Sequence, residues 1–502
     1  MKIFETQQRR LADEYTIKNE PISSLQLMDR AATAAFDIIL QKYGNYTNFA
    51  IFAGVGNNGG DGLVVARHLK NIQKNVFIFI VEYAQKYSDD FVANFEKIRL
   101  LGINYRIINQ VEQINFDLSN FVVIDAIFGS GLCRRIEGLA ADVIDFVNNS
   151  KKQAVISIDI PSGLLGEINS INNSKIIFAN CTITFQYPYL SFLFAENEKY
   201  VGDFWIVDIG IDKDYVEKTQ TSFYFSEEKE IKKLLKKRPK FAHKGTFGHS
   251  LLVAGSYGKM GAAVLAAKAA HRCGLGLLTA HLPSKCVDIM QISSPETLLS
   301  IDKNDFFSSN IENIEKYTSV GIGPAIGFEP QTLNLLEYVL INFANKPIVI
   351  DADAITLISC NKNLLNKLPQ NAILTPHVRE LERLIGVCSN SYQRLIKQIE
   401  FSVNHKVIIV QKGAYTAISL PSGDVFFNNT GNNGLATGGS GDVLTGIILG
   451  LLSQGYNPED AAKIGVWVHG LSADIAVQSI GMVSLTPTDV INFVGKAFLV
   501  FE

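Results

Sequence analysis

Two glycine-rich turns carry the side chains best suited to chemistry in this chain. The later one, Ala436-Thr437-Gly438-Gly439-Ser440-Gly441-Asp442, runs straight into an apolar helical pattern. Glycines let successive backbone N–H groups converge on an anion, and the following helix adds the partial positive charge of its N-terminus. Such a turn can hold a phosphate in flight. Asp442, in the first helical turn, is placed to take a hydroxyl proton during phosphoryl transfer. An aspartate there can also be a plain counter-charge to the helix dipole, but the glycine density favours the catalytic role.

The earlier turn, Gly54-Val55-Gly56-Asn57-Asn58-Gly59-Gly60-Asp61-Gly62, joins an apolar run to a helical pattern. Five glycines in nine positions exceed the needs of a tight turn. A phosphate or pyrophosphate is the natural occupant, because the next helix presents free N–H groups to it. Steric packing explains any single glycine, but not Asn57, Asn58 and Asp61 crowded among them. Two aspartates end apolar runs nearby. Asp125 closes VVID and precedes Ala126-Ile127-Phe128-Gly129-Ser130-Gly131; Asp159 closes VISID and precedes Ile160-Pro161-Ser162-Gly163. Ligands of open parallel sheets gather at strand carboxyl ends. Each carboxylate there could be a general base, a cation ligand, a ribose contact or a helix cap.

Strand ends in the second half supply further candidates. Lys412, in Gln411-Lys412-Gly413-Ala414-Tyr415-Thr416, could meet a nucleotide phosphate, although a strand-end lysine is usually just solvated. His377, in Thr375-Pro376-His377-Val378-Arg379-Glu380, could be a substrate contact or a simple cap. Gly321 to Gly327 (GIGPAIG) adds a flexible loop in the same layer.

These residues need strands to present them. The apolar runs 49–53, 76–81, 121–125 and 154–159 alternate with helical periodicity such as 61–73, as strands of a parallel sheet with right-handed crossovers would. The pattern breaks between about 212 and 246, where Glu227 to Lys237 reads as a solvated amphipathic helix whose lysines 232, 233, 236 and 237 have at most a minor anion-binding role. It restarts with strands at 250–255, 348–351, 372–375 and 407–411 and helices at 261–270, 441–452 and 458–478. An α/β fold of two domains follows, over 1–215 and 225–502, with a linker at 216–224. A chain of 502 residues is too long for one ordinary core. The apolar stretch 490–501 serves either an interface or the core.

Composition narrows the class. Hydrophobic residues are 47% and charged residues 19%, the balance of a packed globular protein, and a net charge of −3 argues against nucleic acid or an anionic membrane as partner. Cys133, Cys181, Cys273, Cys286, Cys360 and Cys388 form no CxxC pair or Cys/His cluster, so reduced thiols are expected. No signal-peptide core and no run of ~18 apolar residues is present. A cytoplasmic location is expected.

The motifs GVGNNGGDG, DAIFGSG and DIPSG closely resemble the epimerase domain of the NAD(P)H-hydrate repair enzymes, over most of residues 1 to 212. HKGTFGHSLLVAGS from His243, GIGPAIG, DADA from Asp351, TPHVRE and TGGSGDVLTG resemble the dehydratase domain of the same enzymes, over about 225 to 500. The resemblance implies a Rossmann-like first domain and a ribokinase-like second. In the first it implies substrate contacts at Asn57, Asn58, Gly59, Gly60 and Asp61, and at Gly129, Ser130, Gly131, Leu132, Cys133, Arg134 and Arg135. It also implies Asp159 as a substrate contact, and potassium held by Asn58, Asp125 and Ser162. Hard oxygen donors suit that ion. Asp159 is then the candidate general base and Asp125 is tied mainly to the cation. In the second domain the resemblance implies that Lys412, Gly413, Ala414, Tyr415, Thr416 and Gly441 bind the adenine nucleotide. Gly323, His377, Asp442 and the neighbourhood of Ala262 would contact the hydrated dinucleotide. Relatives often read GPGLG where this chain has Gly323-Pro324-Ala325-Ile326-Gly327, so Ala325 should narrow that loop without abolishing activity.

The implied function is repair of the hydrated cofactors NADHX and NADPHX. The first domain interconverts their R and S epimers, and the second phosphorylates the S epimer from ADP or ATP, with magnesium, and eliminates phosphate. Relatives are often oligomeric, so a homo-oligomer is expected. Rival readings are a vitamin or sugar kinase with the same late turn, an NAD-dependent oxidoreductase, and a non-enzymatic first domain that senses a ligand or binds a partner. Asn57, Asn58 and Asp61 within the early turn argue against the oxidoreductase. Asn58, Asp125, Asp159 and Ser162 argue against the sensor.

Overall fold

The computed structural model describes residues 1–132, 134–167 and 175–502. The chain divides into two compact units, Met1–Thr221 and Ser222–Glu502.

The first unit is built on seven parallel strands: β1 (Asn48–Gly54), β2 (Asn75–Val81), β3 (Asn104–Ile108), β4 (Val122–Ala126), β5 (Ala154–Ile158), β6 (Cys181–Phe185) and β7 (Asp203–Val207). Their order is β3-β2-β1-β4-β5-β6-β7, with every neighbouring pair parallel. The order reverses between β1 and β4, which opens a crevice at their carboxyl ends. Alternate residues of β1 serve opposite faces. Phe49, Ile51 and Ala53 pack with the helices Ser24–Tyr43 and Asn57–Asn71, while Ala50 and Phe52 pack with the helix Leu139–Asn149. Both faces are covered, so the strands are continuous apolar runs rather than alternating ones.

The helix after β1 begins at Asn57, four residues earlier than its periodicity predicts, so NNGGDG forms its first turns. Close packing overrides the low helix propensity of glycine here. A Cβ on Gly59 would lie 1.7 Å from the Gly54 carbonyl oxygen. That contact seats the helix N-terminus directly on the end of β1.

The second unit holds ten strands: β8 (Phe223–Phe225), β9 (His249–Val253), β10 (Leu277–Leu282), β11 (Leu298–Ile301), β12 (Ser319–Ile322), β13 (Ile348–Ile350), β14 (Ile373–Leu374), β15 (Ile408–Gln411), β16 (Ala417–Ser419) and β17 (Val425–Phe427). Their order is β11-β10-β9-β12-β13-β14-β15-β16-β17-β8. The sheet is parallel through β15, but β16 and β17 run antiparallel to their predecessors and β8 lies parallel beside β17. The connections from β15 to β17 are too short for crossovers, so hairpins are the available solution. Residues 216–224 hold the end of the helix Lys213–Lys218 and the start of β8.

Helices Met260–Arg272, Ser440–Ser453 and Pro458–Ile480 cover one face of this sheet; Pro330–Asn342 and Ala352–Cys360 cover the other. The C-terminal helix Pro487–Leu499 buries Val490, Ile491, Val494 and Ala497 in the first of these cores, which decides for the core reading of that stretch. The charged helix Glu228–Leu234 buries only Ile231. Among the described residues no helix is long and apolar enough to cross a membrane. Cys181, Cys273 and Cys286 are buried free thiols, while Cys360 and Cys388 are free and more accessible.

Candidate active sites

The first site lies at the carboxyl ends of β1, β4 and β5, the crevice the strand order opens. Asp125, the fourth residue of β4, is buried and fully engaged. Ser162 Oγ donates to its Oδ1 at 2.5 Å, and Ser162 N and Ser157 Oγ donate to its Oδ2 at 2.9 and 2.7 Å. Burial still pushes its carboxyl above the ordinary value, against the donors from Ser162, Ser157 and Ile127. Ser162 also accepts from Phe128 N at 2.9 Å, which fixes the start of the loop after β4.

Asp159 follows β5 with a φ of +65°, in the left-handed region. Its Oδ2 accepts from Ser130 N at 3.2 Å, so the loop after β4 and the turn after β5 meet on this carboxylate. Tyr189 donates its hydroxyl to both oxygens, at 2.9 and 3.0 Å. Arg9 Nη2 stands 3.5 Å from Oδ1. Asn58 and Asp159 both flank Gly129: a Cβ there would sit 3.2 Å from Asn58 Cβ and 3.3 Å from Asp159 Oδ2. Asn58 is buried, and neither of its amide atoms has a hydrogen-bond partner among the described residues. Asp61, one turn on, is held well above the usual carboxylate range by burial, with Asp159, Asp13 and Asp90 adding to it.

Structure thus brings Asn58, Asp61, Gly129, Ser130 and Asp159 together, with Asp125 and Ser162 directly behind. Asn57 and Gly60 lie in the same first helical turns as Asn58. Gly131, Leu132, Arg134 and Arg135 continue the loop, with both arginines exposed. Arg134 acts against the burial that raises the Tyr83 phenol. Tyr83 and Phe128 pack with ring centroids 4.5 Å apart beside this loop. Cys133 lies outside the described residues.

The second site spreads over the carboxyl ends of β12, β13, β14 and β15, four neighbours in the sheet. Gly323, after β12, has a φ of +134°, and a Cβ on it would lie 1.8 Å from the Asp351 carbonyl oxygen. Only glycine fits there. Ala325 sits at φ +55°, so the residue that departs from the GPGLG pattern is itself in the left-handed region. Asp351, after β13, is 1% exposed and accepts from Lys412 Nζ at 2.8 Å and from Thr445 Oγ1 at 2.7 Å. Burial works against the Lys412 charge, but the Asp351 carboxylate holds the ammonium above its ordinary range, with Glu380 and Asp442 adding.

Gly439, at φ +95°, turns the chain into the helix Ser440–Ser453; Ser440 N donates to Thr437 O at 3.4 Å, and the next amides, of Gly441 and Asp442, begin the helix without a preceding helical turn. Gly441 lies over the ion pair, with its ideal Cβ position 3.2 Å from Lys412 Nζ. Burial pushes the Asp442 carboxyl up to about 6, with Asp351 and Asp353 raising it and Lys412 opposing. A base poised there is matched to taking a proton near neutral pH. Asp353 is tied down by Gly327 N, which donates to it at 2.9 Å.

His377 caps the helix Val378–Ile385. Its Nδ1 accepts from Arg379 N and Glu380 N at 3.1 and 3.3 Å, while the ring stays half exposed at the end of β14. Gly413 to Thr416 form the exposed turn between β15 and β16, closed by Thr416 Oγ1 donating to Gly413 O at 2.9 Å. Ala262 stands in the first turn of the helix Met260–Arg272, partly buried.

Known proteins divide the chain in the same two parts. A family model described as YjeF-related protein N-terminus matches residues 24–191, and one described as NAD(P)H-hydrate dehydratase matches 250–495. The bifunctional NAD(P)H-hydrate repair enzyme Nnr of Thermofilum pendens is 32% identical, over 97% of this chain and 94% of the relative. The enzyme of the same name from Moorella thermoacetica is 34% identical, over 94% and 92%. The chain belongs to the bifunctional NAD(P)H-hydrate repair enzymes. Among solved structures, the ADP/ATP-dependent NAD(P)H-hydrate dehydratase of Bacillus subtilis, co-crystallised with ATP/Mg2+, is 31% identical with a TM-score of 0.50. It covers 56% of this chain, and 99% of its own length is matched.

Sequence reading of this repair enzyme missed four side chains that touch the sites. Tyr189 and Arg9 stand on Asp159, far from it along the chain. Thr445 completes the Asp351 pair. His469 lies with Nε2 3.3 Å from Ser440 Oγ at the head of the late turn. Burial pushes its imidazole down to about 4, so it is neutral there. One signal was available for Arg9: it shares the buried stripe of the helix Thr6–Asn19 with Ala12 and Thr16, where a charge needs a partner.

Proposed function

We propose that this chain clears hydrated NADH and NADPH with two separate sites, Asp159 serving as the epimerase base and Asp442 as the dehydratase base. The observation that carries this reading is a pair of carboxylates, Asp159 buried and Asp442 partly buried, each at the carboxyl ends of parallel strands and each beside a glycine-rich turn into a helix N-terminus. A kinase or a single-site oxidoreductase has no need of both.

In the second site the chemistry is leaving-group activation. Hydroxide leaves poorly, and phosphate leaves well. Asp442 takes the proton of the ring hydroxyl as that oxygen accepts a phosphoryl group from ADP or ATP, and the amides of Gly439, Gly441 and Asp442 hold the charge that builds on the phosphoryl oxygens. The ring nitrogen's electron pair then expels phosphate, and loss of the proton on the adjacent carbon restores the double bond. Lys412 stands where a nucleotide phosphate would gain its charge, held by Asp351, whose other oxygen accepts from Thr445. Among the described residues no group of three acidic, histidine or cysteine side chains could hold a metal. Magnesium would accompany the nucleotide phosphates, whose charge it would neutralise.

In the first site potassium suits the residues present. Asn58 has a buried, unpartnered amide, Asp125 is a carboxylate and Ser162 a hydroxyl, all hard oxygen donors. Bound there, the ion would supply positive charge behind the substrate loop. Asn58 and Ser162 orient that loop, and Asp159 takes the proton of the ring hydroxyl as the adjacent C–N bond opens to a carbonyl with its electron pair on the ring nitrogen, then returns it when that nitrogen re-closes on the carbonyl's other face. The helix N-terminus at Asn57 to Gly59 offers its amides and partial positive charge to the dinucleotide phosphates, beside the loop that begins at Gly129.

The deciding experiment incubates the purified full-length chain with mixed NADHX epimers and ADP or ATP. Return of the NADH absorbance, reaching both epimers, is the expected result; a stable phosphorylated product would instead favour a kinase.

A further inference from the structure

Three features around Asp159 have no part in the mechanism above. Tyr189 is 1% exposed, and its hydroxyl donates to both Asp159 oxygens. Arg9, on the N-terminal helix, is 8% exposed. Its guanidinium carbon lies 3.7 Å above the Tyr189 ring centre. Nη1 donates to Tyr187 O at 2.7 Å and Nη2 to Phe185 O at 2.9 Å, while Nη2 also faces Asp159 Oδ1 at 3.5 Å. Burying a cation and a phenol is unfavourable by several kcal/mol unless both find partners. Here the partners converge on one carboxylate, which itself sits in a strained left-handed backbone conformation at φ +65°. Strain of that kind persists where the surroundings over-determine it, and it gathers at functional sites.

We propose that Tyr189 and Arg9 are positioning residues for Asp159, forming a stacked cation–phenol clamp that fixes the carboxylate of the epimerase base. The inference rests on the reading that Asp159 is that base. The clamp fixes rotation: Oδ1 faces Tyr189 and Arg9, and Oδ2 receives Tyr189 and Ser130 N. Burial, with the Asp159 carboxylate adding and Arg9 opposing, holds the phenol well above its ordinary range, so Tyr189 stays a donor. Arg9 is in turn anchored by backbone carbonyls of the 185–187 turn. The base is thereby tied to the N-terminal helix, to the turn after β6 and to the Ser130 loop at once. Setting the carboxylate and seating the substrate loop become one event.

The test uses the full-length chain and resolved R-NADHX, with ADP and ATP omitted so that only epimerisation proceeds, followed chromatographically. Tyr189→Phe keeps the ring and the stacking and removes only the hydroxyl. It should lower kcat by about 10- to 100-fold with KM within about twofold, since orientation of a general base is worth that much. Arg9→Met should lower kcat to a similar degree, and Arg9→Lys should recover part of it, while thermal melting reports that each variant is folded and unchanged nucleotide-dependent repair of the S epimer that the loss is confined to the first site. Wild-type kcat in Tyr189→Phe, or equal losses in Arg9→Lys and Arg9→Met with KM rising in step, overturns the clamp. Asp159→Asn separates the two levels: if it epimerises normally, the base assignment itself fails; if it is dead while Tyr189→Phe is unaffected, only the clamp fails.

Discussion

Asp159, buried, and Asp442, partly buried, stand at the carboxyl ends of parallel strands in two sheets, and their surroundings are opposite. Asp159 is held by donors: a phenol, a backbone amide and a guanidinium within reach. Asp442 is raised to about 6, first by burial and then by its own kind, Asp351 and Asp353, with Lys412 opposing only in part. One environment secures geometry and the other secures basicity. A base that takes and then returns the proton of one hydroxyl needs above all to stay aimed. A base that takes a hydroxyl proton while phosphate charge builds beside it needs affinity for that proton near neutral pH.

The sharpest way to break this comparison is to delete each carboxylate in turn. Asp442→Asn should reduce nucleotide-dependent return of NADH from the S epimer by about a thousandfold or more while epimerisation continues. Asp159→Asn should do the reverse, leaving the R epimer stranded and S repair intact. Loss of both activities in either variant would dissolve the division of labour.

Next in size is the ion pair behind Asp442. Lys412→Met leaves the buried Asp351 carboxylate with Thr445 alone and should cost about 3 kcal/mol of stability by denaturant titration. It should also raise KM for ADP and ATP well above that of the parent.

The pH dependence should separate the sites more gently. Asp442 must be deprotonated to act as base, so kcat/KM of the dehydratase should fall as pH drops through about 6. The same shift has a stability consequence of opposite sense. A carboxyl raised in the folded state binds its proton more tightly there than in the unfolded chain. Its favourable contribution is therefore full below about pH 4 and is lost as pH rises through about 6. Asp442→Asn should then be more stable than the parent at pH 7, by about 1 to 2 kcal/mol after allowance for partial exposure, with the difference vanishing in acid. A melt in which this variant is less stable at neutral pH would count against the crowded-carboxylate picture.

The smallest effect is expected at Ala325, whose φ of +55° disfavours any side chain. Ala325→Gly should raise stability by about 0.5 to 1 kcal/mol, visible as a small increase in Tm with repair rates unchanged.

Much of this arrangement was legible in the chain. Apolar runs ending in aspartate marked β4 and β5, and the two glycine-dense turns marked both ligand edges, because glycine spacing and strand-end carboxylates are local signals. Three kinds of feature were not local. The helix start at Asn57 depends on a backbone contact with Gly54 that only tertiary packing creates. The antiparallel tail β16–β17 depends on connection length acting on very short strands, which carry little periodicity. Tyr189 and Arg9 reach Asp159 through space from distant segments, and nothing adjacent to either residue announces it. His377 shows the converse: both of its sequence readings were open, and the structure displays the cap.

Strand β8 carries a practical consequence. It occupies only Phe223–Phe225, at the very start of the second unit, yet it covers the outer edge of β17 through the pairs Val425–Phe223, Phe426–Tyr224 and Phe427–Phe225. Anyone separating the halves by proteolysis or gene truncation must therefore cut ahead of Phe223. A fragment begun only a few residues later would expose a short row of unpaired peptide groups beside Val425, Phe426 and Phe427, an invitation to edge-to-edge aggregation rather than to a working half-enzyme.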